Sequence, residues 1–118
     1  MNGKTYAYLD LTAMSAVGAA LLDPRPAWVF SGDGKRILWA NASGAEFFGA
    51  ESMGTLLEHR FGNDNPAVKQ IARLSRLLPS DTSRLEILRF ASGFGLPALA
   101  CACRRINLSG SESAVLAI

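Results

Sequence analysis

Residues 27–49, AWVFSGDGKRILWANASGAEFFG, decide the fold. Two short apolar runs, Trp28-Val29-Phe30 and Ile37-Leu38-Trp39-Ala40, flank the turn-forming Ser31-Gly32-Asp33-Gly34. β-prone runs joined through Asp-Gly predict an antiparallel hairpin, because Asp and Gly tolerate the positive φ such turns need. Asn41-Ala42-Ser43 follows, and Glu46 stands three residues after Ser43, the spacing of a capping box at a helix start. Phe47-Phe48 then anchor a short helix and Gly49 ends it.

Upstream, residues 1–10 are polar and mixed and read as loosely ordered. Residues 11–22, LTAMSAVGAALL, carry apolar side chains at 11, 14, 17, 21 and 22, which predicts a helix. Asp10 is its expected N-cap, and Asp23-Pro24 stops it because a residue before proline is pushed out of the α region. Ala13, Ala16, Gly18, Ala19 and Ala20 give this helix little bulk, so it should lie against something flat. Two covers fit equally: its own sheet, or a second copy, in which case Leu11, Met14, Val17, Gly18, Leu21 and Leu22 form a dimer contact.

Downstream, Thr55 and Glu58 offer another capping box, with a helical turn around Leu56-Leu57. His59 and Gly62-Asn63-Asp64 read as loop. The strongest helix signal follows: Asn65 as cap, Pro66 in the first helical position, Pro79 at the end. Val68, Ile71, Leu74 and Leu78 share one stripe, and Lys69, Arg73 and Arg76 a solvated face. Strands are expected at 84–90, 96–106 and 114–118, with turns at 92–95 and 107–113. With the first hairpin they complete a five-stranded antiparallel sheet whose helices are grouped mid-sequence, an α+β fold.

Size and composition bound the function. One hundred and eighteen residues make one domain with a core of its own, divided here into an N-terminal helix or cap (1–23) and a main domain (24–118). Apolar residues at 49% and charged ones at 19% suit a folded globule. A formal charge of +2 is too small to point to nucleic acid or an anionic membrane. Two cysteines and no secretion signal favour a reducing, cytoplasmic setting, and no apolar run approaches the roughly 20 residues that span a bilayer.

Few residues invite chemistry. Cys101 and Cys103 lie on one strand face beside Leu99 and read as buried inert thiols. A metal would need further ligands, and His59 is the sole histidine. Glu46, Glu51 and Glu58 are explained by capping and solvation. Gly32, Gly34, Gly93 and Gly95 sit in hairpins, outside the strand–loop–helix context of a phosphate cradle. Asn41, ending a buried strand, can bond the backbone of the next turn and is architectural first, a ligand contact second. Neither Ile37-Leu38-Trp39-Ala40 nor residues 99–103 alternate apolar with polar, so both sheet faces should be covered there. That smoothness leaves open whether Leu38 and Ala40, or Ile37 and Trp39, face the helices.

Strand, Asp-Gly turn, strand ending in Asn, then a short helix carrying Glu-x-Phe-Gly resembles the opening of a PAS domain. The run ILWANASGAEFFGA (37–50) is similar to the sensor PAS modules of bacterial histidine kinases, of the alphaproteobacterial type. This detailed likeness covers about a fifth of the chain. It implies that the middle helices cover one sheet face and enclose a small pocket, with Ala40, Asn41, Phe47, Phe48, Leu56, Ile71, Leu74, Cys101 and Cys103 as its candidate lining. It also implies that no haem or flavin is bound. Haem-binding relatives carry an axial His on the long helix, and residues 66–78 contain none. Flavin photosensors carry a reactive Cys among the middle helices, and none is found there.

The resulting expectation is a non-catalytic regulatory module: a sensor, signal relay and dimerisation domain of a cytoplasmic sensor histidine kinase. Its partners would be a second copy, downstream kinase domains of a longer chain that continues past Ile118, and a small apolar ligand. No catalytic residue and no metal are expected. The alternatives are a small stand-alone enzyme of the cone-shaped α+β kind, which would need a buried acid or a Tyr/Asp pair, and a docking module without a ligand.

Overall fold

Asn41 sets the geometry of the region read above. It ends the second of two strands, β1 (Trp28–Ser31) and β2 (Ile37–Ala40), and caps α3 (Ala42–Phe48) by accepting the Gly44 N–H. The computed structural model describes residues 8–79, 82–90, 98–108 and 112–118. Along that chain follow α4 (Met53–Glu58), α5 (Pro66–Leu77), β3 (Arg84–Arg89), β4 (Ala98–Asn107) and β5 (Ser113–Ala117). Ahead of β1 stand two short helices, α1 (Tyr8–Thr12) and α2 (Ser15–Ala19). The expected turn at 92–95, the strand start at 96–97 and the reading of residues 1–7 fall outside the described residues.

The strands form one antiparallel sheet in the order β2-β1-β5-β4-β3, the α+β architecture read from the sequence. Its inner face carries Trp28, Phe30, Leu88, Cys101, Cys103 and Val115 beneath α3, α4 and α5. Its outer face carries Val29, Trp39, Ile106, Ala114 and Leu116 beneath α1 and α2. The hairpin turns through Gly34, whose φ of 75° is open to glycine at little cost, with the Gly34 N–H on the Ser31 carbonyl at 2.9 Å. Ser75 ties that turn to α5, its hydroxyl shared between the Gly32 and Ala72 carbonyls.

Several local readings shift. The leading segment is two helices rather than one, and Asp10 lies inside α1 instead of capping it. The break brings Gly18 so close to Thr12 that a Cβ there would stand 2.7 Å from the Thr12 carbonyl oxygen. It also frees the Thr12 hydroxyl to accept the Trp39 indole N–H at 2.9 Å. Bent this way, α1 and α2 deliver Leu11, Val17 and Ala20 to the same sheet face. The helix caps are Asn41 and Ser52 rather than Ser43 and Thr55, because the chain turns helical earlier than the Glu spacing suggested. Asn65 and Pro66 start α5 as expected.

The unresolved orientation of 37–40 has a simple cause. Phe30 pairs with Ile37 but Val29 with Trp39, so Leu38 is an extra residue, a bulge. Ile37 and Ala40 point inward, and Leu38 and Trp39 outward. In β4 the expected double cover is only partial. Cys101 and Cys103 are buried inward, whereas Ala100 is exposed outward beside Ile87. At that sheet edge Leu85 and Ile87 also face solvent. Gln70 covers part of the β3 edge with its side-chain amide, donating to the Ile87 carbonyl and accepting the Arg89 N–H, both at 2.8 Å.

Gly44 gives a direct test of the α3 placement. A Cβ there would meet the Ala27 carbonyl oxygen at 2.6 Å and the Trp28 indole nitrogen at 2.9 Å. Alanine usually favours a helix over glycine by about 1 kcal/mol. Gly44→Ala should instead destabilise by roughly 2 kcal/mol, read as a lowered denaturation midpoint, because rigid backbone must move. A stabilised variant would mean that α3 sits further from β1.

Candidate functional site

The space between the sheet and α3 is filled with rings. Trp28 lies against Phe30, Phe47, Phe48 and Phe90 with centroids 5.3–6.0 Å apart, and its indole N–H donates to the Gly44 carbonyl at 3.0 Å. Phe48 also meets Phe90 edge-on at 5.3 Å and Phe61 at 5.6 Å. Such tilted and edge-on packing satisfies the ring quadrupoles and leaves little void. A small cavity of about 150 Å³ lies to one side, lined by Phe48, Ala50, Thr55, Leu56, His59 and Phe61. Its mouth is polar through Thr55 and His59, and the His59 ring stands edge-on to Phe61 at 4.9 Å.

The pocket candidates divide accordingly. Phe48 and Leu56 line this side cavity. Ala40, Ile71, Leu74, Cys101 and Cys103 are buried in the inner core, with Phe47 packed on it half-buried. Asn41 lies apart from them, 1% exposed and fully occupied. Its Oδ1 accepts the Ala27 and Gly44 N–H groups at 3.0 and 2.8 Å. Its Nδ2 donates to the Ala20, Asp23 and Arg25 carbonyls at 2.9, 3.2 and 2.9 Å.

The dimer candidates also divide. Leu11 and Val17 are buried on the chain's own sheet, so they cannot form a contact surface without opening it. Met14 and Gly18 are half-buried, while Leu21 and Leu22 are exposed, Leu22 at 91%.

Both thiols are fully buried. Burial pushes Cys101 up to about 11 and Cys103 up to about 12, from an ordinary 9.0. At neutral pH they are protonated and poor nucleophiles. They should react slowly with a thiol reagent in the native protein and quickly once unfolded; fast native labelling would contradict this placement. The unfolded chain loses these protons near pH 9, while the folded chain holds them to about 11–12. The thiols' contribution to stability should therefore be constant below about pH 9 and be lost from there upward, and replacing both cysteines with alanine should flatten that alkaline fall.

The remaining buried polar side chains among the described residues are Asn65 and Ser75, and both serve backbone. Among the described residues, no group of three His, Cys, Asp or Glu could hold a metal ion, and no helix is long and apolar enough to cross a membrane. One feature was not visible in the sequence: a larger cleft of about 440 Å³ where the β1–β2 turn meets the start of β5, holding Arg36 and Arg60. Nothing local links residues 36 and 60, which pair only through an isolated bridge.

No family model matches the chain, and no curated protein matches it significantly. Among solved structures it is similar to the crystal structure of the PAS domain of an HTR-like protein from Haloarcula marismortui. The TM-score is 0.55 at 16% identity, over 87% of this chain and 92% of that one. With its 2-1-5-4-3 strand order and helices packed on the inner face, the chain has the PAS fold.

Proposed function

We propose that the chain is a regulatory sensor and signal-relay module, non-catalytic in itself, within a cytoplasmic sensor histidine kinase. The observation that carries this reading is the PAS fold itself, built around an interior without reactive groups. Among the described residues the buried polar side chains, Asn41, Asn65 and Ser75, all serve backbone, which disfavours the stand-alone enzyme. The likeness of residues 37–50 to histidine kinase sensor modules supports the kinase context. Partners in this reading are a second copy, reached through the exposed Leu21 and Leu22, and kinase domains of the same longer chain.

The relay needs only a ligand or contact that favours one arrangement of the helices over another. The side cavity would take a small apolar ligand. A volume near 150 Å³ holds roughly one benzene-sized molecule, so the ligand would be minimal. The ring-filled interior also favours a second reading, a docking module that relays without a ligand. Ile71→Ala and Leu56→Ala loosen the inner layer without touching the surface, each at about 2–5 kcal/mol. In the intact parent protein, assayed where both variants remain folded, either should change kinase output. Unchanged output from both would leave the interior as inert core. Ligand-dependent thermal stabilisation separates sensor from docking module, and any turnover by the isolated domain would overturn both.

A further inference from the structure

The cleft at the turn end of the sheet carries a charge arrangement that the fold does not require. Arg36 and Arg60 are directly opposite each other on an antiparallel bridge, with the Phe61 N–H donating to the Lys35 carbonyl at 2.8 Å beside it. Directly opposed residues set their Cβ atoms about 5 Å apart on one side of the ladder, where like charges repel. Both side chains line the same cleft. The ion pairs among the described residues are Asp23–Arg25 and Arg84–Glu86, so neither guanidinium is neutralised by a salt bridge there. A guanidinium cannot relieve the repulsion by losing its proton.

Two acids, Asp33 and Glu112, line the same cleft, and the Asp33 charge offsets Arg36 in part, leaving Arg60 the less compensated of the two. Asp33 is held in its own turn, its Oδ1 accepting the Ser31 hydroxyl at 2.7 Å and the Lys35 N–H at 3.0 Å. Glu112 lines the same cleft, and its charge opposes a doubly charged ligand more than a singly charged one. Leu38 and Leu108 supply apolar wall, Leu38 turned outward by the bulge. The volume of about 440 Å³ falls within the roughly 300–1,000 Å³ usual for small-molecule sites, whereas the side cavity by α4 lies below that range and holds at most a benzene-sized molecule. Paired guanidinium forks match the geometry of a carboxylate.

We propose that this cleft binds a small organic monocarboxylate, its carboxylate between Arg36 and Arg60 and its apolar body along Leu38 and Leu108. The site lies outside the helix-covered interior and does not depend on the sensor reading.

The test is titration of the protein with benzoate, phenyl phosphate and benzyl alcohol, followed by backbone amide shifts. Benzoate should give saturable shifts at residues 32, 38 and 108, benzyl alcohol none there, and phenyl phosphate weaker ones. Arg60→Gln and Arg36→Gln should each weaken benzoate at least about tenfold, the loss expected from one charge-assisted hydrogen bond. Arg60 is exposed, so its variant should melt like the parent protein and keeps the test clear of unfolding. Benzoate binding that survives Arg60→Gln, equal binding of benzyl alcohol, or no saturable shift in the cleft would each overturn the site. Tighter binding of phenyl phosphate would overturn the monocarboxylate class. None of these outcomes bears on kinase output after Leu56→Ala, so this site and the sensor reading fail separately.

Discussion

Replacing Asn41 with alanine should destabilise the protein by about 3–5 kcal/mol, the largest loss expected from any single polar side chain here. The residue is 1% exposed and bonds three separate pieces of chain at once. Its Oδ1 holds the start of β1 through Ala27 and the first turn of α3 through Gly44. Its Nδ2 holds the loop between α2 and β1 through three carbonyls. Alanine would leave several of these groups without a partner, at about 1–3 kcal/mol for each one that water does not reach.

Aspartate at the same position makes the test sharper. Asp caps helices about as well as Asn, so a pure capping role predicts a nearly neutral change. Here the second side-chain atom must donate, and a carboxylate would face the Ala20, Asp23 and Arg25 carbonyls with no proton to give. Asn41→Asp should therefore cost at least as much as Asn41→Ala in a denaturant titration at neutral pH. An aspartate variant within about 1 kcal/mol of the parent would show that the loop carbonyls find water instead, and that Asn41 is only a helix cap.

The same residue shows what the sequence could and could not reveal. Its position at the end of a strand and before a helix was legible, because Asp-Gly turns and apolar runs act locally. Its grip on Ala20 and Asp23 was not, since that depends on where the leading segment lands. Leu38 makes the same point for sheets: a bulge is one residue's shift in pairing, and a run as smooth as ILWA carries no polar marker of it. Leu11 and Val17 were legible as one apolar stripe, yet the chain breaks between them. The stripe fits the sheet only in two pieces, and Gly18 allows the pieces to meet. In the candidate site, Phe48 and Leu56 were readable as inward anchors. The opposition of Arg36 and Arg60 is a long-range pairing, without any periodicity to reveal it.

Deleting residues 1–22 should have the second large effect, and it decides what the leading helices are for. In the intact chain Val29, Trp39 and Leu116 are at most 3% exposed under α1 and α2. Removing that cover would open an apolar face joined to the already exposed Leu85 and Ile87, a patch that soluble proteins seldom leave bare. The truncated protein should melt far lower and self-associate in sedimentation experiments. Val17→Asp should do the same without truncation, because an unpaired carboxylate would enter a site that is 0% exposed. The direction of the change in assembly is the informative part. A full-length monomer that associates on truncation makes α1 and α2 the cover of their own sheet. A full-length dimer that falls apart on truncation makes them the contact, through Leu21 and Leu22. A truncated chain that stays monomeric with an unchanged melting point would mean that the outer face needs no cover. The burial of Leu11 and Val17 favours the first outcome: a segment that must leave its own core to reach a partner would expose about as much apolar surface as the partner could cover.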